Sequence, residues 1–319
     1  MGLCFQALSL SAHRAPHESI DSGIFRGTDG IKVFKGNQKL IVMESHPLSP
    51  RALKFEILTQ TNNVFTLLGI LSCSLAYILI GDHVPLHVTT PPFREETGEI
   101  DMSLYHDFVT LENVTISDGI LLLSSIVIPF AILFIYSIFV ATAQNDSFSI
   151  FSTFTIAIGL GEGTTAGLKK FVGRLRPNFY KMCEFNFETR ECDAPSASVI
   201  QSRKSFPSGH SSMSFCAWIV VVLYFFGKIE ITSGRGGIGK KRVQALCVIS
   251  FLSVPVYVAA SRIRDLWHFP SDVLAGAAIG IVSATLSYHL FFPHVFHKVS
   301  AFPLSQVLKH RDDKRSFNK

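Results

Sequence analysis

Three short clusters in this chain have the residue types and spacings that phosphate chemistry needs. The first is Lys169-Lys170-Phe171-Val172-Gly173-Arg174-Leu175-Arg176-Pro177. Lys169 and Arg176 are two cations at a fixed spacing, which suits a phosphate dianion: Arg offers a planar bidentate fork and Lys a mobile point charge. The second is Phe206-Pro207-Ser208-Gly209-His210-Ser211-Ser212. Pro207 and Gly209 set a tight turn, and Ser208 can cap the helix that follows. The free N–H groups of Ser208, Gly209 and the first helical turn then converge as an anion site made from backbone. His210 stands at the rim, where a proton donor is useful. The third cluster runs from Ser261 to Asp272, with Arg262 as a further cation and His268 four residues before Asp272. A carboxylate near an imidazole orients it, fixes its tautomer and supports its positive form. The other ring nitrogen is then a nucleophile.

Taken singly, each cluster has a plainer reading. Basic residues flank membrane helices, a Ser-Gly turn caps a helix, and a His–Asp pair is often structural. What gives the three weight together is where the chain puts them. Of its 319 residues 48% are hydrophobic and only 17% charged, against about 25% charged in an average soluble domain. Six apolar runs, at 62–82, 118–141, 148–168, 211–227, 243–260 and 273–293, are too long and too uncharged for core helices. They predict an all-α, multi-pass membrane protein with six transmembrane helices. Tilt or extension into the headgroups accommodates the shorter runs. All three clusters then fall at membrane edges on one side.

The loops set the orientation. Lys228, Arg235, Lys240, Lys241 and Arg242 lie between spans four and five, and both chain ends are basic. With six spans these segments share a side, expected to be the cytosol. Residues 1–60 read as a partly disordered cytoplasmic tail, 61–293 as the catalytic domain and 294–319 as a basic cytoplasmic tail. The loop 169–210 falls outside, yet carries eight Lys and Arg residues. Binding a phosphate explains that exception. The net charge of +5 is spread between apolar runs, which argues against nucleic acid as a partner. Cys183 and Cys192 share this outer loop, which faces an oxidising compartment, and are expected to form a disulfide. Cys73, Cys216 and Cys247 sit in apolar runs as small hydrophobes. Asn113-Val114-Thr115 is a glycosylation acceptor in the first outer loop, whereas Asn145-Asp146-Ser147 should face the cytosol. The start, Gly2 to Cys4, hints at acylation, but Gln6 breaks the myristoylation pattern. Glu162, inside span three, reads as a partner for a nearby Lys or Arg.

In order and spacing the clusters resemble the signature of the type 2 phosphatidic acid phosphatase superfamily: Lys-x6-Arg-Pro, Pro-Ser-Gly-His and Ser-Arg-x5-His-x3-Asp. Gly173-Arg174-Leu175-Arg176-Pro177-Asn178-Phe179 is similar to the eukaryotic lipid phosphate phosphatases in particular. The resemblance covers roughly residues 62–293 and departs at Trp267, Phe269 and Pro270, around the last His. It implies a helical core shared with vanadate-dependent haloperoxidases and an extracytoplasmic site. It implies that Lys169, Arg176, Arg262 and the Ser208 and Gly209 backbone hold the phosphate. His268 would form a phosphohistidine, Asp272 would orient it, and His210 would protonate the leaving alkoxide. No metal or other cofactor is implied. The substrate would be a phosphate monoester of a lipid, such as phosphatidate, lysophosphatidate or a sphingoid phosphate, with membrane lipids as surroundings. A polyprenyl or other lipid diphosphate is the alternative, a silent membrane scaffold a more distant one. Homo-oligomer formation stays open.

Overall fold

The computed structural model describes residues 33–34, 41–42, 50–92, 100–140, 146–230 and 237–308, with side chains from residue 66 onward apart from Val140. Gly2, Cys4, Asn145, Arg235, the chain beyond Leu308 and most of the expected 1–60 tail lie outside these residues. Two compact units divide the chain, one of residues 13–68 and one containing everything from Gly69 on. In the first, β1 (Val33–Phe34) and β2 (Ile41–Val42) pair antiparallel. The boundary at Gly69 falls within α1 (Pro50–His83).

The second unit is built from long helices. After α1 come α2 (Asp118–Phe139), α3 (Ser147–Val172), α6 (Gly209–Ile229), α7 (Ile238–Arg264) and α8 (Pro270–Phe291). The short helices α4 (Phe179–Met182) and α5 (Ser196–Ser202) lie between α3 and α6. Among the described residues, five helices are long and apolar enough to cross a membrane: α1 from Thr66, α2, α6, α7 and α8. The protein is a membrane protein of all-α build. The sixth expected span is α3, which at 26 residues is long enough but carries Glu162, Lys169 and Lys170 among small and hydroxylated residues. Its packing against α6 and α8 explains that composition. A helix lined by protein along much of its length need not match lipid.

Helix α6 is the hub, packed against α3, α7 and α8. Trp218, Tyr224, Phe225, Tyr288 and Phe292 fill the core around it. On α8, Gly276 and Gly280 let the backbones of α6 and α8 meet, since a Cβ at either would run into the carbonyl of Ser208 or Ser212. This close approach brings the first turn of α8 against the start of α6, and Ser208 N–H donates to the Asp272 carbonyl at 2.9 Å. At the other end of the bundle, the buried Asp146 pairs with Lys228 and accepts from Tyr224 Oη at 3.1 Å.

Gly173 ends α3 in the left-handed region, at φ 60°, and a Cβ there would strike the His87 carbonyl. The turn it allows sends Arg174 to Pro177 back across the top of the bundle. Beyond them Cys183 and Cys192 are joined by a disulfide, with Cα atoms 5.1 Å apart. The bridge closes the hairpin of β3 (Phe185–Asn186) and β4 (Glu191–Cys192), which pair antiparallel. Phe179, Tyr180 and Phe185 pack beside it.

Candidate active site

The ends of α3, α6, α7 and α8 meet around one cavity of about 590 Å³. Lys169, Arg176, Gly209, His210, Arg262 and His268 line it. The three clusters, up to a hundred residues apart in the chain, therefore share one site. The facing wall comes from the loop between α1 and α2, through Phe108, Leu111, Val114 and Ile116.

His268 is buried at the back of the cavity. Its Nδ1 lies 2.6 Å from the Ser205 carbonyl oxygen. A carbonyl only accepts, so Nδ1 carries the proton. Its Nε2 lies 3.3 Å from Arg176 Nη1, and a guanidinium only donates, so Nε2 presents its lone pair. Both contacts select one tautomer, with the free nitrogen toward the cavity. Burial, and after it the Arg176 charge, holds the His268 pKa well below the usual imidazole value. The ring is therefore neutral at physiological pH, with the Nε2 lone pair turned to Arg176.

Asp272 does not take the place expected from its spacing. Its Oδ2 stands 3.8 Å from His268 Nδ1, beyond hydrogen-bonding distance. The carboxylate is engaged elsewhere, accepting from Ser205 Oγ at 2.6 Å, Phe269 N at 3.0 Å and Arg174 Nη1 at 2.6 Å. As the third residue of α8 it faces back to the start of its own helix, and Phe269 N–H captures it. The direct orienting partner of His268 is the Ser205 carbonyl. Asp272 acts one step behind, on Ser205 and through charge. Ser208 also differs from expectation. Its N–H is taken by the Asp272 carbonyl, and its hydroxyl accepts from Ser211 at 3.1 Å without capping α6. The N–H groups of Gly209, His210 and Ser211, at the start of α6, have no acceptor within the helix and are the backbone donors an anion could use.

Arg176 Nε donates to the Gln201 carbonyl at 2.7 Å and Nη1 to the Trp267 carbonyl at 2.9 Å. Its guanidinium lies 4.8 Å from the centre of the Trp267 ring, and that of Arg174 lies 4.4 Å from Phe269. The two aromatic residues that depart from the signature thus form platforms for two arginines of the first cluster. Burial lowers the Arg176 pKa to about 9, against which the Asp272 carboxylate works. The guanidinium stays charged at neutral pH. Lys169 Nζ donates to the Lys204 carbonyl at 3.4 Å, close beside Gly209 at the start of α6. Glu162, expected to pair with a basic residue, accepts from the Ser212 hydroxyl at 3.4 Å.

Arg262 Nη2 donates to Asp265 Oδ2 at 2.8 Å, while Nη1 reaches to 3.4 Å from His210 Nε2. Asp265 also accepts from Thr115, at 2.8 Å from its N–H and 2.6 Å from its hydroxyl. Asp118, the first residue of α2, stands 3.7 Å from His210 Nε2. Ser205, Asp265, Thr115 and Asp118 were not foreseen as parts of the site. Thr115 was visible only as the third residue of the acceptor sequence, whose Asn113 lies exposed. No local spacing signals a contact made across 150 residues.

A family model described as the PAP2 superfamily matches residues 151–296, a stretch that contains all three clusters. "Probable lipid phosphate phosphatase 4" of Arabidopsis thaliana is 37% identical over 142 residues, 42% of this chain and 44% of that protein. Lipid phosphate phosphatase 2 of the same plant is 33% identical over 225 residues, 68% of this chain and 74% of that protein. The chain belongs to the PAP2 superfamily. A further PAP2 relative, a PA-phosphatase related-family protein of Dictyostelium discoideum, is 28% identical over 242 residues, 73% of this chain and 83% of that protein. The match to the first of these relatives spans less than half of that protein's length. No solved structure matches the chain. The PAP2 resemblance expected from the three clusters, with eukaryotic lipid phosphate phosphatases as its near kin, is the one found.

Proposed function

We propose that the protein is a lipid phosphate phosphatase that hydrolyses phosphate monoesters such as phosphatidate, lysophosphatidate or sphingoid phosphates without a metal. The observation that carries this reading is the single tautomer of His268, with Nε2 unprotonated beside Arg176 in a cavity that also holds Lys169, Arg262 and His210. Lys169, Arg176, Arg262 and the Gly209 end of α6 bind the phosphate oxygens. His268 Nε2 attacks phosphorus, the P–O bond to the alcohol breaks, and a phosphohistidine forms. The imidazole then holds a positive charge, supported by the Ser205 carbonyl and by Asp272 behind it. His210, protonated when the substrate dianion joins Asp118 beside it, gives that proton to the leaving alkoxide, then accepts one from the water that attacks the phosphohistidine. The three cations supply the charge stabilisation that a divalent ion provides in other phosphatases. The apolar wall of the first outer loop supports a lipid as the alcohol, and the names of the plant relatives point the same way.

Phosphate release from phosphatidate, lysophosphatidate, a sphingoid phosphate, diacylglycerol pyrophosphate, a polyprenyl diphosphate and a glucose phosphate tests this. The monoester lipids are expected to turn over fastest, with full activity in EDTA and inhibition by vanadate, which takes up the geometry of phosphorus under attack. Activity lost in EDTA and restored by magnesium would remove the metal-free mechanism. Preference for the diphosphates would rename the substrate class.

The site also has a proposed side. The Cys183–Cys192 bridge lies in the same loop as the wall residues Met182 and Gln201, and disulfides persist in oxidising compartments. The cavity is thus assigned to the extracytoplasmic face and both termini to the cytosol. A single cysteine introduced at Thr189, in an otherwise unreactive background, should be labelled from outside in sealed cells by an impermeant maleimide. Labelling only after the cytosolic face is opened would reverse the orientation.

A further inference from the structure

We propose that Thr115 is a positioning residue of the phosphate site, holding Arg262 in its binding posture through Asp265. The inference rests on the phosphatase reading and adds to it a residue from the first outer loop. Asp265 and Arg262 are both buried, 5% and 3% exposed, so each needs its partners from within the protein. The two Asp265 oxygens serve different donors. Oδ1 accepts the Thr115 hydroxyl at 2.6 Å. Oδ2 accepts the Thr115 N–H and Arg262 Nη2, each at 2.8 Å. The Arg–Asp pair is therefore single-pronged, although a guanidinium and a carboxylate side by side favour two parallel bonds. Thr115 grips both carboxylate oxygens, which fixes the plane of the Asp265 carboxylate and leaves Oδ2 as the oxygen turned to Arg262. Arg262 Nη1 is thereby kept pointing toward His210, 3.4 Å from its Nε2, where a phosphate oxygen can be met.

Without the hydroxyl the carboxylate is held by the Thr115 N–H alone and can turn to offer Arg262 both oxygens. The guanidinium then closes onto Asp265, its charge is neutralised locally, and the phosphate loses a ligand. The main-chain bond from Thr115 N–H is unaffected by side-chain substitution, so the loop stays attached. Trp267 Nε1, which donates to the Val109 carbonyl at 3.0 Å, holds it independently.

The test compares Thr115→Val, Thr115→Ser and Asn113→Gln in purified full-length protein. Thr115→Val is expected to lower kcat/KM by roughly 10–100-fold, the scale of a lost hydrogen bond to a charged group. It should weaken vanadate inhibition by a comparable factor and reduce the rise in unfolding temperature that vanadate gives, while the unfolding temperature without vanadate changes little. Thr115→Ser, which keeps the hydroxyl, should restore all three. Asn113→Gln, which removes the acceptor asparagine and leaves the hydroxyl, should match the unaltered protein. Unchanged vanadate binding in Thr115→Val would overturn the proposal, and so would an equal loss in Asn113→Gln or no rescue by serine. If Thr115→Val does not fold, Asp265→Asn takes its place and should weaken vanadate binding at unchanged hydroxyl chemistry; full vanadate binding there overturns the proposal too. An unaltered protein that neither releases phosphate nor responds to vanadate would instead remove the phosphatase reading itself.

Discussion

His268→Ala is expected to abolish turnover and the covalent phosphoenzyme together. The loss in kcat should be roughly 10⁶-fold, the scale seen when a covalent nucleophile is deleted. The prediction follows from geometry. The Ser205 carbonyl holds Nδ1 as the protonated nitrogen, and Arg176 faces the lone pair of Nε2, so Nε2 is the atom the proposed mechanism uses for attack. Among the described residues the other imidazole lining the cavity is His210, whose Nε2 faces Arg262 and Asp118. Rapid quenching with radiolabelled substrate should trap an acid-labile, base-stable phosphoprotein in the unaltered enzyme and none in the variant. Label retained in His268→Ala would move the nucleophile elsewhere. The ring is buried, so alanine enlarges the existing cavity, and folding is checked separately by the unfolding temperature.

His210→Ala should fail by another route. The departing group from a lipid phosphate is an alkoxide, a strong base that leaves slowly unless it is protonated. Loss of a positioned proton donor costs about 10²–10⁴-fold. A phenol of low pKa leaves as its anion without help, so the same variant should retain near-normal phosphoenzyme formation with such a substrate. The ratio of the two rates is the informative quantity. An equal loss with both leaving groups would mean that His210 only binds phosphate. Asp118, opposite Nε2 at 3.7 Å, and Arg262, at 3.4 Å, face this ring with opposite charges.

The parts of this site that short spacing can encode were legible in the sequence. Lys169 and Arg176 flank one helix end, His210 opens another, and His268 precedes a third, so each cluster carries its own geometry. The helices were legible too, because apolar runs of that length have few alternatives. The finer arrangement was not. Asp272, four residues after His268, looked like its direct partner, but the first turn of α8 and Arg174 claim its carboxylate. The nitrogen of His268 is set by the Ser205 carbonyl, a backbone atom that has no signature in side-chain types. Ser208 looked like a cap and an anion ligand until the close approach of α6 and α8 gave its N–H to Asp272. Thr115 reads as part of an acceptor sequence because nothing near it in the chain names Asp265.

The polarity of α3 has a consequence for how the protein reaches its membrane. The other spanning helices gain enough from lipid to enter one at a time as they are made. Helix α3, with Glu162 and two lysines, gains little alone, because a charged residue at mid-helix costs about 2.5–3.5 kcal/mol during insertion. Its best surroundings are α6 and α8, and both are synthesised after it. Biogenesis is therefore expected to include a waiting step, in which α3 is sheltered at the insertion machinery until its later neighbours arrive. Substitutions along its buried face should show first as degraded nascent chains and only afterwards as altered kinetics.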